Sequence, residues 1–160
     1  MKQTAIAASL AMMALIISAT PLHAQVATQM NITLEAAKKV AADAEAYAKK
    51  NLAPGASIAI VDNGGNLIYL ERLDHSFAAS ADVAIQKAKT AAQFNAPSKK
   101  LEDGVNNGRY ALITVGRTFL QGGIPIIYNG ETIGAIGVSG AASAAQDEEI
   151  AIAGSKAQIN

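Results

Sequence analysis

The chain has 160 residues, 13 basic and 13 acidic side chains, and neither cysteine nor tryptophan. The balanced charge excludes electrostatic attraction to nucleic acid, and the absence of cysteine excludes disulfides, thiolate catalysis and cysteine metal sites. Stability must therefore come from packing, and the many Ala, Ile, Leu and Val residues predict a closely packed core.

The first 24 residues have the pattern of a secretory signal peptide. Lys2 supplies a positive start, and the apolar run over residues 5–17 is too short to serve as a membrane anchor. The small residue Ala24 follows where a signal peptidase would cut. We therefore predict cleavage after Ala24, a periplasmic or secreted location, and a single domain over residues 25–160 without a membrane span.

A helix and a hairpin are predicted in the first part of this domain. The helix begins at Thr33, whose hydroxyl can accept a hydrogen bond from the first turn. Its apolar residues recur at three-to-four spacing until the Pro-Gly pair at residues 54–55 stops it. Residues 56–61 and 67–70 have the composition of strands, and the Asn, Asp and Gly residues at 62–66 favour a hairpin turn between them.

The middle of the chain is predicted to contain two helices and one ambiguous segment. Ser80 can cap a helix that runs to about Phe94. A short helix starts at residues 97–98 and is ended by Gly104. Residues 110–120 are predicted to form either a strand or a loop, because a β-like apolar run is interrupted by glycine and arginine.

A second hairpin and a final helix complete the predicted order. Residues 124–128 and 132–139 form its strands around an Asn-Gly turn, and Pro125 should lie at a strand start or on an unpaired edge because it has no amide proton. Ser143 is predicted to cap the final helix, which is expected to pack tightly on this hairpin. The order indicates an α+β fold with an antiparallel sheet of four to five strands flanked by helices, in a profilin-like α-β-β-α-α-β-β-α arrangement.

Three glycines recur at every third position around the last strand, namely Gly134, Gly137 and Gly140. This spacing breaks the two-face alternation of a strand and predicts that another element, with a helix as the expected neighbour, packs closely there. It matches no dinucleotide or phosphate-binding loop. Ser139 is interpreted as part of a turn, because the glycine that a nucleophile elbow needs two residues later is absent.

Few side chains are candidates for binding chemistry. His75 is the only histidine after the predicted signal peptide, and it follows a strand in a polar stretch where functional groups gather. Lys87 falls on an apolar helix face, so its ammonium is expected to reach a cleft or a neighbouring carboxylate. Arg109 and Arg117 are candidates for holding a carboxylate through paired N–H donors.

The acidic residues at the start of the last helix have two interpretations. Asp147 and Glu148 could provide acid-base or cation chemistry. Acidic residues in a first helical turn are also what the helix dipole favours, and we prefer this second interpretation. With no cysteine and one histidine after the signal peptide, the usual catalytic triads and most metal sites are excluded, so binding is expected rather than catalysis.

Several blocks of the sequence resemble the GlcG/HbpS-like family, and the chain is also similar to the C-terminal domain of PduO-type proteins. The resemblance covers almost all of residues 33–154 and is densest around the second hairpin. The positions that carry it there are Gly122, Gly123, Pro125, Gly134, Gly137, Gly140, Asp147 and Glu148. It implies an antiparallel sheet flanked by helices, self-association into higher oligomers, and haem binding that in some relatives is linked to haem degradation or redox sensing.

Three functions remain open. In the first, the protein binds haem in the cell envelope as a carrier, a sensor or part of haem degradation. Basic residues such as Lys87, Arg109 or Arg117 would then face the propionates, and His75 is one candidate for the iron ligand. Further candidates for that ligand are Met30, Tyr47, Tyr69, Tyr110 and Tyr128. In the second, the arginines hold a small carboxylate related to glycolate or diol metabolism, and Asp74 or His75 transfers protons. In the third, the chain is an assembly protein without a small-molecule site.

Overall fold

The computed structural model describes residues 28–159, so the predicted signal peptide at residues 1–24 lies outside the described part of the chain. The elements are α1 Leu34–Lys50, β1 Ser57–Asp62, β2 Leu67–Arg72, α2 Ser80–Phe94, α3 Ser98–Asn106, a 3₁₀ helix Tyr110–Val115, β3 Gly123–Tyr128, β4 Glu131–Ser139 and α4 Ala144–Ser155. Between residues 28 and 159, no helix is long and apolar enough to cross a membrane.

The four strands form one antiparallel sheet in the order β2-β1-β4-β3. Its centre is the pairing of β1 with β4, which runs from Ser57 opposite Ser139 to Asp62 opposite Gly134. Both predicted hairpins are confirmed, as is the α+β class with an antiparallel sheet and flanking helices. Pro125 lies on the edge strand β3, as predicted, because an edge strand has a hydrogen-bond ladder on one side only.

The two faces of the sheet are covered by different helices. α1 and α4 pack on the face that carries Ile58, Ile60 and Ile136, all fully buried in the main core. Burying each of these side chains contributes about 1.5–3 kcal/mol. α2 packs on the opposite face against Val61 and Ala135, and it does so through alanines, whose small side chains bring the helix axis close to the sheet.

Gly137 is the reason that α2 can approach β4 so closely. A methyl group at this position would lie 2.1 Å from the carbonyl oxygen of Ala84 and 2.5 Å from the amide nitrogen of Ala88. The predicted close neighbour of the glycine-spaced strand is therefore a helix, and that helix is α2. α4 packs on the same hairpin from the other face, where Gly154 closely approaches the side chain of Ile136.

The other two glycines of the spacing have different close neighbours. A methyl group at Gly134 would lie 2.4 Å from the carbonyl oxygen of Val61 on β1 and 3.0 Å from the side chain of Ile32. Gly140 has a φ angle of 105° and lies against Ser80. The regular spacing thus combines three separate steric requirements, one for a helix, one for the neighbouring strand and one for the turn that leaves the sheet.

Two of the predicted helix caps are confirmed, and one is wrong. The hydroxyls of Thr33 and Ser143 accept hydrogen bonds from the third residue of their helices, at 3.2 Å and 3.1 Å. Ser80 instead lies inside the first turn of α2, whose cap residue is Ala79. Its hydroxyl forms a buried 2.7 Å hydrogen bond with the hydroxyl of Ser57 on β1, because this side of α2 faces the sheet.

Two further predictions fail in the region after α2. Gly104 does not end α3, which continues to Asn106. The glycine gives room for Leu112, whose side chain would lie 2.9 Å from a methyl group at this position. Residues 110–115 form a 3₁₀ helix rather than a strand or a loop, and Gly116 ends it in the left-handed conformation with a φ angle of 67°. Residues 116–120 have no regular secondary structure, so the loop alternative is correct for that half of the segment.

Candidate functional site

Lys87 and Asp147 form a buried ion pair between α2 and α4. The Lys87 ammonium donates to Asp147 Oδ2 and to the carbonyl oxygen of Val138, both at 2.8 Å, and the two residues are only 3% and 6% exposed. Asp147 Oδ1 also accepts from the amide of Ala141 at 2.9 Å. Of the two partners expected for Lys87, a carboxylate and a cleft, the structure has the carboxylate, so this ammonium is not presented to a ligand.

The structure gives Asp147 a role in addition to its favourable place at the start of the α4 dipole. The carboxylate does lie in the first turn of α4, but it is buried against Lys87 and ties together α2, β4 and α4. Gly122 and Gly123 complete this junction, since methyl groups there would lie 3.0 Å from the Lys87 ammonium nitrogen and 2.2 Å from the Lys87 carbonyl oxygen. The junction is therefore part of the scaffold.

Glu148 is half-buried and holds the segment that leads into β3. Its carboxylate accepts a 2.7 Å hydrogen bond from the side-chain amide of Gln121. The backbone amide of Gln121 in turn donates to Glu102 on α3 at 2.7 Å. Glu148 thus links α4 to α3 through Gln121, which is a structural role beside the depression described below.

His75 is exposed in the turn between β2 and α2, with a φ angle of 65°. Two hydrogen bonds of the adjacent residues fix this turn. Arg72 Nη2 donates to the Ser76 carbonyl oxygen at 2.7 Å, and the Ser76 hydroxyl donates to the Leu73 carbonyl oxygen at 2.8 Å. His75 lines a depression of about 390 Å³ together with Arg72, Asp74 and the exposed Lys49, which is paired with Glu45. This depression contains neither Arg109 nor Arg117.

A second depression, of about 270 Å³, lies between α3 and the segment that follows it. We call it the α3 depression, and its lining residues are Glu102, Val105, Asn106, Ile113, Arg117, Phe119 and Leu120. Its wall is rigid at Phe119, which is buried and packs edge-to-face on Phe94 of α2 with ring centroids 5.9 Å apart.

Arg117 is held at the edge of the α3 depression by α2. Its Nε donates to the side-chain oxygen of Gln93 at 2.8 Å, and its Nη1 donates to the Gly116 carbonyl oxygen at 3.2 Å. Gln93 is itself anchored, because its amide nitrogen donates to the carbonyl oxygen of Gly64 at 2.9 Å. The guanidinium is exposed and positioned, and it retains further N–H donors for an anion.

The 3₁₀ helix leaves large apolar side chains in solvent beside this arginine. Tyr110 is 66% exposed and Ile113 is 65% exposed, whereas Leu112 is buried. Residues three apart lie on the same side of a 3₁₀ helix, so Tyr110 shares the side of Ile113, which lines the depression. Val115 and Leu120 are also exposed, and Arg109 precedes the helix as an exposed residue.

The sequence identified the two arginines but not the exposed apolar residues between them. An apolar run ordinarily predicts burial, but here Leu112 is the one buried residue of the 3₁₀ helix, and it packs against Gly104 of α3. The structure thus brings Arg117, Ile113 and Leu120 to one depression, while His75 and Lys87 lie elsewhere. Tyr110 precedes Ile113 by one turn of the 3₁₀ helix.

The other candidate iron ligands, which are the remaining tyrosines and Met30, lie at two separate places in the fold. Tyr47 and Tyr69 are half-buried against the main core. Tyr128 and Met30, although distant in sequence, line one apolar pocket beside the start of α1. Among residues 28–159, no cluster of three or more His, Asp or Glu side chains could hold a bare metal ion.

Together, these features define a class of α+β domain in which one antiparallel sheet carries helices on both faces, and an apolar depression with an arginine at its edge opens beside α3. Residues 32–156 match the family described as haem degrading protein HbpS-like. The chain therefore belongs to the HbpS-like family, and the resemblance seen in the sequence is confirmed.

Individual relatives agree with this assignment. Protein GlcG of Escherichia coli K12 is 38% identical over 113 residues, which are 70% of this chain and 84% of that protein. The crystal structure of a double mutant of Streptomyces reticuli HbpS has a TM-score of 0.74 and 35% identity, covering 86% of this chain and 96% of that chain. The crystal structure of a complex of PduOC with haem has a TM-score of 0.69 at 23% identity, covering 78% and 93% of the two chains, and shows the shared fold alone.

Proposed function

We propose that this protein binds haem at the α3 depression. The observation that carries the proposal is the exposed apolar surface at residues 110–120, which has Arg109 before it and Arg117 at its edge. Exposed apolar surface of this kind marks a binding site in a soluble domain. Membership of a family described as haem degrading supports haem as the ligand.

The residues at the depression fit the two chemical parts of haem. Ile113, Phe119 and Leu120 offer an apolar surface for the macrocycle, and a guanidinium suits a propionate because it can donate two parallel hydrogen bonds. A cavity of about 270 Å³ is small for a ligand of this size, so haem would lie across the depression and over Tyr110 rather than inside it.

Tyr110 is the residue that we assign to the haem iron. A tyrosine oxygen is an established iron ligand in haem proteins, and Tyr110 is exposed one 3₁₀ turn before Ile113, which lines the depression. His75 is the competing candidate, but it lines a different depression. Haem would supply iron-centred redox chemistry when bound, and the residues of this chain would bind and orient it.

Titration with haemin, followed by absorption spectroscopy, tests the proposal. The unmodified protein should give a saturable, sharpened haem band, and Ile113→Asp should abolish it. Arg117→Ala should weaken binding about tenfold, because one charged hydrogen-bonding partner is lost. Tyr110→Phe should shift the band through loss of the oxygen ligand. Lys38→Ala, which removes an exposed cation from α1, is the matched control and should change nothing.

Two results would contradict this assignment. If the spectrum equals that of an unrelated control protein, the chain does not bind haem specifically. If His75→Ala changes the band while Tyr110→Phe and Arg117→Ala do not, haem binds at the His75 depression and the α3 site is wrong.

We also propose that the protein is exported and that residues 1–24 are removed. The positive start, the apolar run and Ala24 support this. Mass spectrometry of the protein from a periplasmic or extracellular fraction should show Gln25 as the first residue. Material that retains Met1 in the cytoplasmic fraction would contradict it.

Self-association is proposed on the basis of the exposed strand edges. Leu67 and Leu70 on β2 and Ile127 on β3 are exposed at the two edges of the sheet, and such edges favour pairing with another chain. Sedimentation velocity should show an oligomer with and without haemin. A monomer at all concentrations would contradict the proposal and would leave haem binding untouched.

A further inference from the structure

A separate apolar pocket of about 290 Å³ lies at the start of α1, and the proposed haem site makes no use of it. We call it the α1 pocket, and its lining residues are Met30, Asn31, Ile32, Thr33, Ala36, Tyr128, Ile133 and Ile159. It brings together the segment before α1, the β3–β4 hairpin and the C-terminal segment. None of these residues lines the α3 depression.

The wall formed by residues 30–32 is fixed in place by hydrogen bonds. The Ile32 amide donates to the Ile133 carbonyl oxygen at 2.9 Å, which adds this segment to the edge of the pocket. Asn63 in the β1–β2 turn holds Met30 and Asn31. Its side-chain amide donates to the Met30 carbonyl oxygen at 3.0 Å, and its backbone amide donates to the Asn31 side-chain oxygen at 3.1 Å. Gly134 allows the close approach of Ile32. The pocket is therefore preformed.

The chemistry of the lining favours an uncharged aromatic ligand. The described lining residues carry no formal charge, so a charged group would lose its hydration without a partner here. The Tyr128 ring and the Met30 thioether both make favourable contacts with aromatic rings. Thr33 adds one polar contact, because its hydroxyl accepts from the Ala36 amide and keeps its own proton to donate.

We propose that the α1 pocket binds a neutral aromatic molecule of one or two fused rings. The size of the pocket is at the lower end of small-molecule sites, which begin at about 300 Å³. Haem does not fit this pocket, because its two propionates would face no cation in the lining. The proposal is independent of the haem site and concerns a second ligand.

Indole is a suitable probe, because the chain contains no tryptophan and indole fluorescence can be read without background. Titration of the protein into indole should give a saturable blue shift of the emission. Ala36→Met fills the pocket from α1 and should weaken indole binding at least about tenfold. Ala42→Met places the same side chain on an exposed position of the same helix and should leave binding within about twofold.

A measurement on the unmodified protein keeps the test valid if Ala36→Met does not fold. Isoleucine methyl NMR with added indole should shift the signals of Ile133 and Ile159, which line the α1 pocket, but not that of Ile113 in the α3 depression. The proposal is overturned if indole does not saturate, if Ala36→Met binds as well as Ala42→Met, or if only the Ile113 signal shifts.

Discussion

The junction of Lys87 with Asp147 and the α3 depression both combine charged and apolar groups, but the first is closed and the second is open. At the junction, the Lys87 ammonium and both carboxylate oxygens of Asp147 have protein partners within 2.9 Å. At the depression, Arg117 and Ile113 remain exposed. Charges whose partners are supplied by the chain itself maintain the fold, whereas positioned charges beside uncovered apolar groups are available to a ligand.

The largest expected effect on the free energy of unfolding comes from Gly137, where β4 contacts α2. Gly137→Ala should destabilise the protein by at least about 4 kcal/mol, because α2 would have to move away from β4 to accommodate the methyl group. Gly116→Ala in the open region adds a methyl group that meets no atom within 4 Å and costs only about 1 kcal/mol of left-handed backbone strain. Urea denaturation measures both, and equal losses would show that α2 does not set the glycine requirement.

The ion pair should give the next largest effect. Lys87→Met leaves Asp147 buried without a counter-charge and should cost about 3–5 kcal/mol of unfolding free energy. Adding Asp147→Asn removes that charge while keeping an acceptor for the Ala141 amide, so the double variant should recover at least about 1 kcal/mol. If the two losses simply add in urea denaturation, the pair is not coupled and the junction is not held by charge.

The smallest effect concerns Asp62 in the β1–β2 turn. Burial acts to raise the pKa of this carboxyl, but hydrogen bonds from the side chain and backbone of Asn66 and from the amides of Gly64 and Gly65 outweigh it, so the pKa lies below its ordinary value of 3.8. Because the folded pKa is the lower one, the carboxylate stabilises the fold above pH 3.8, and this contribution is lost as the pH falls through the folded pKa.

Acid titration of stability measures this contribution. Asp62→Asn should flatten the loss of unfolding free energy below about pH 4. Glu131→Gln, which removes a carboxyl from an exposed position of β4, is the matched control variant. An unchanged slope in Asp62→Asn would show that the turn does not stabilise the ionised carboxyl.

Local signals were sufficient for the elements whose shape depends on a few neighbouring residues. The Asn-Gly turn between β3 and β4 and the caps at Thr33 and Ser143 were predicted from the sequence, because each depends on contacts within three or four residues. Pro125 was assigned to an edge for the same kind of reason, a missing amide proton. These elements define the order of helices and strands, and with it the class of fold.

The predictions that failed depend on contacts between different helices and strands. Ser80 bonds to Ser57 rather than to its own helix, and Gly104 makes room for Leu112 rather than ending α3. No local pattern reveals such partners, because they are set by how α2 and α3 pack. The exposure of Tyr110 and Ile113 has the same origin, since it depends on which row of the 3₁₀ helix meets α3.

The sequence by itself determined the α+β class and the two hairpins, because periodicity and turn chemistry are local properties. Its resemblance to the HbpS-like family indicated the family, and the two arginines were named as candidates from their residue type. The tertiary structure decided that Lys87 pairs with Asp147, that His75 and Arg117 line different depressions, and that Met30 meets Tyr128. The residues of each of these pairs are about 40 to 100 positions apart in the chain, so only the packing of the helices on the sheet decides whether they meet.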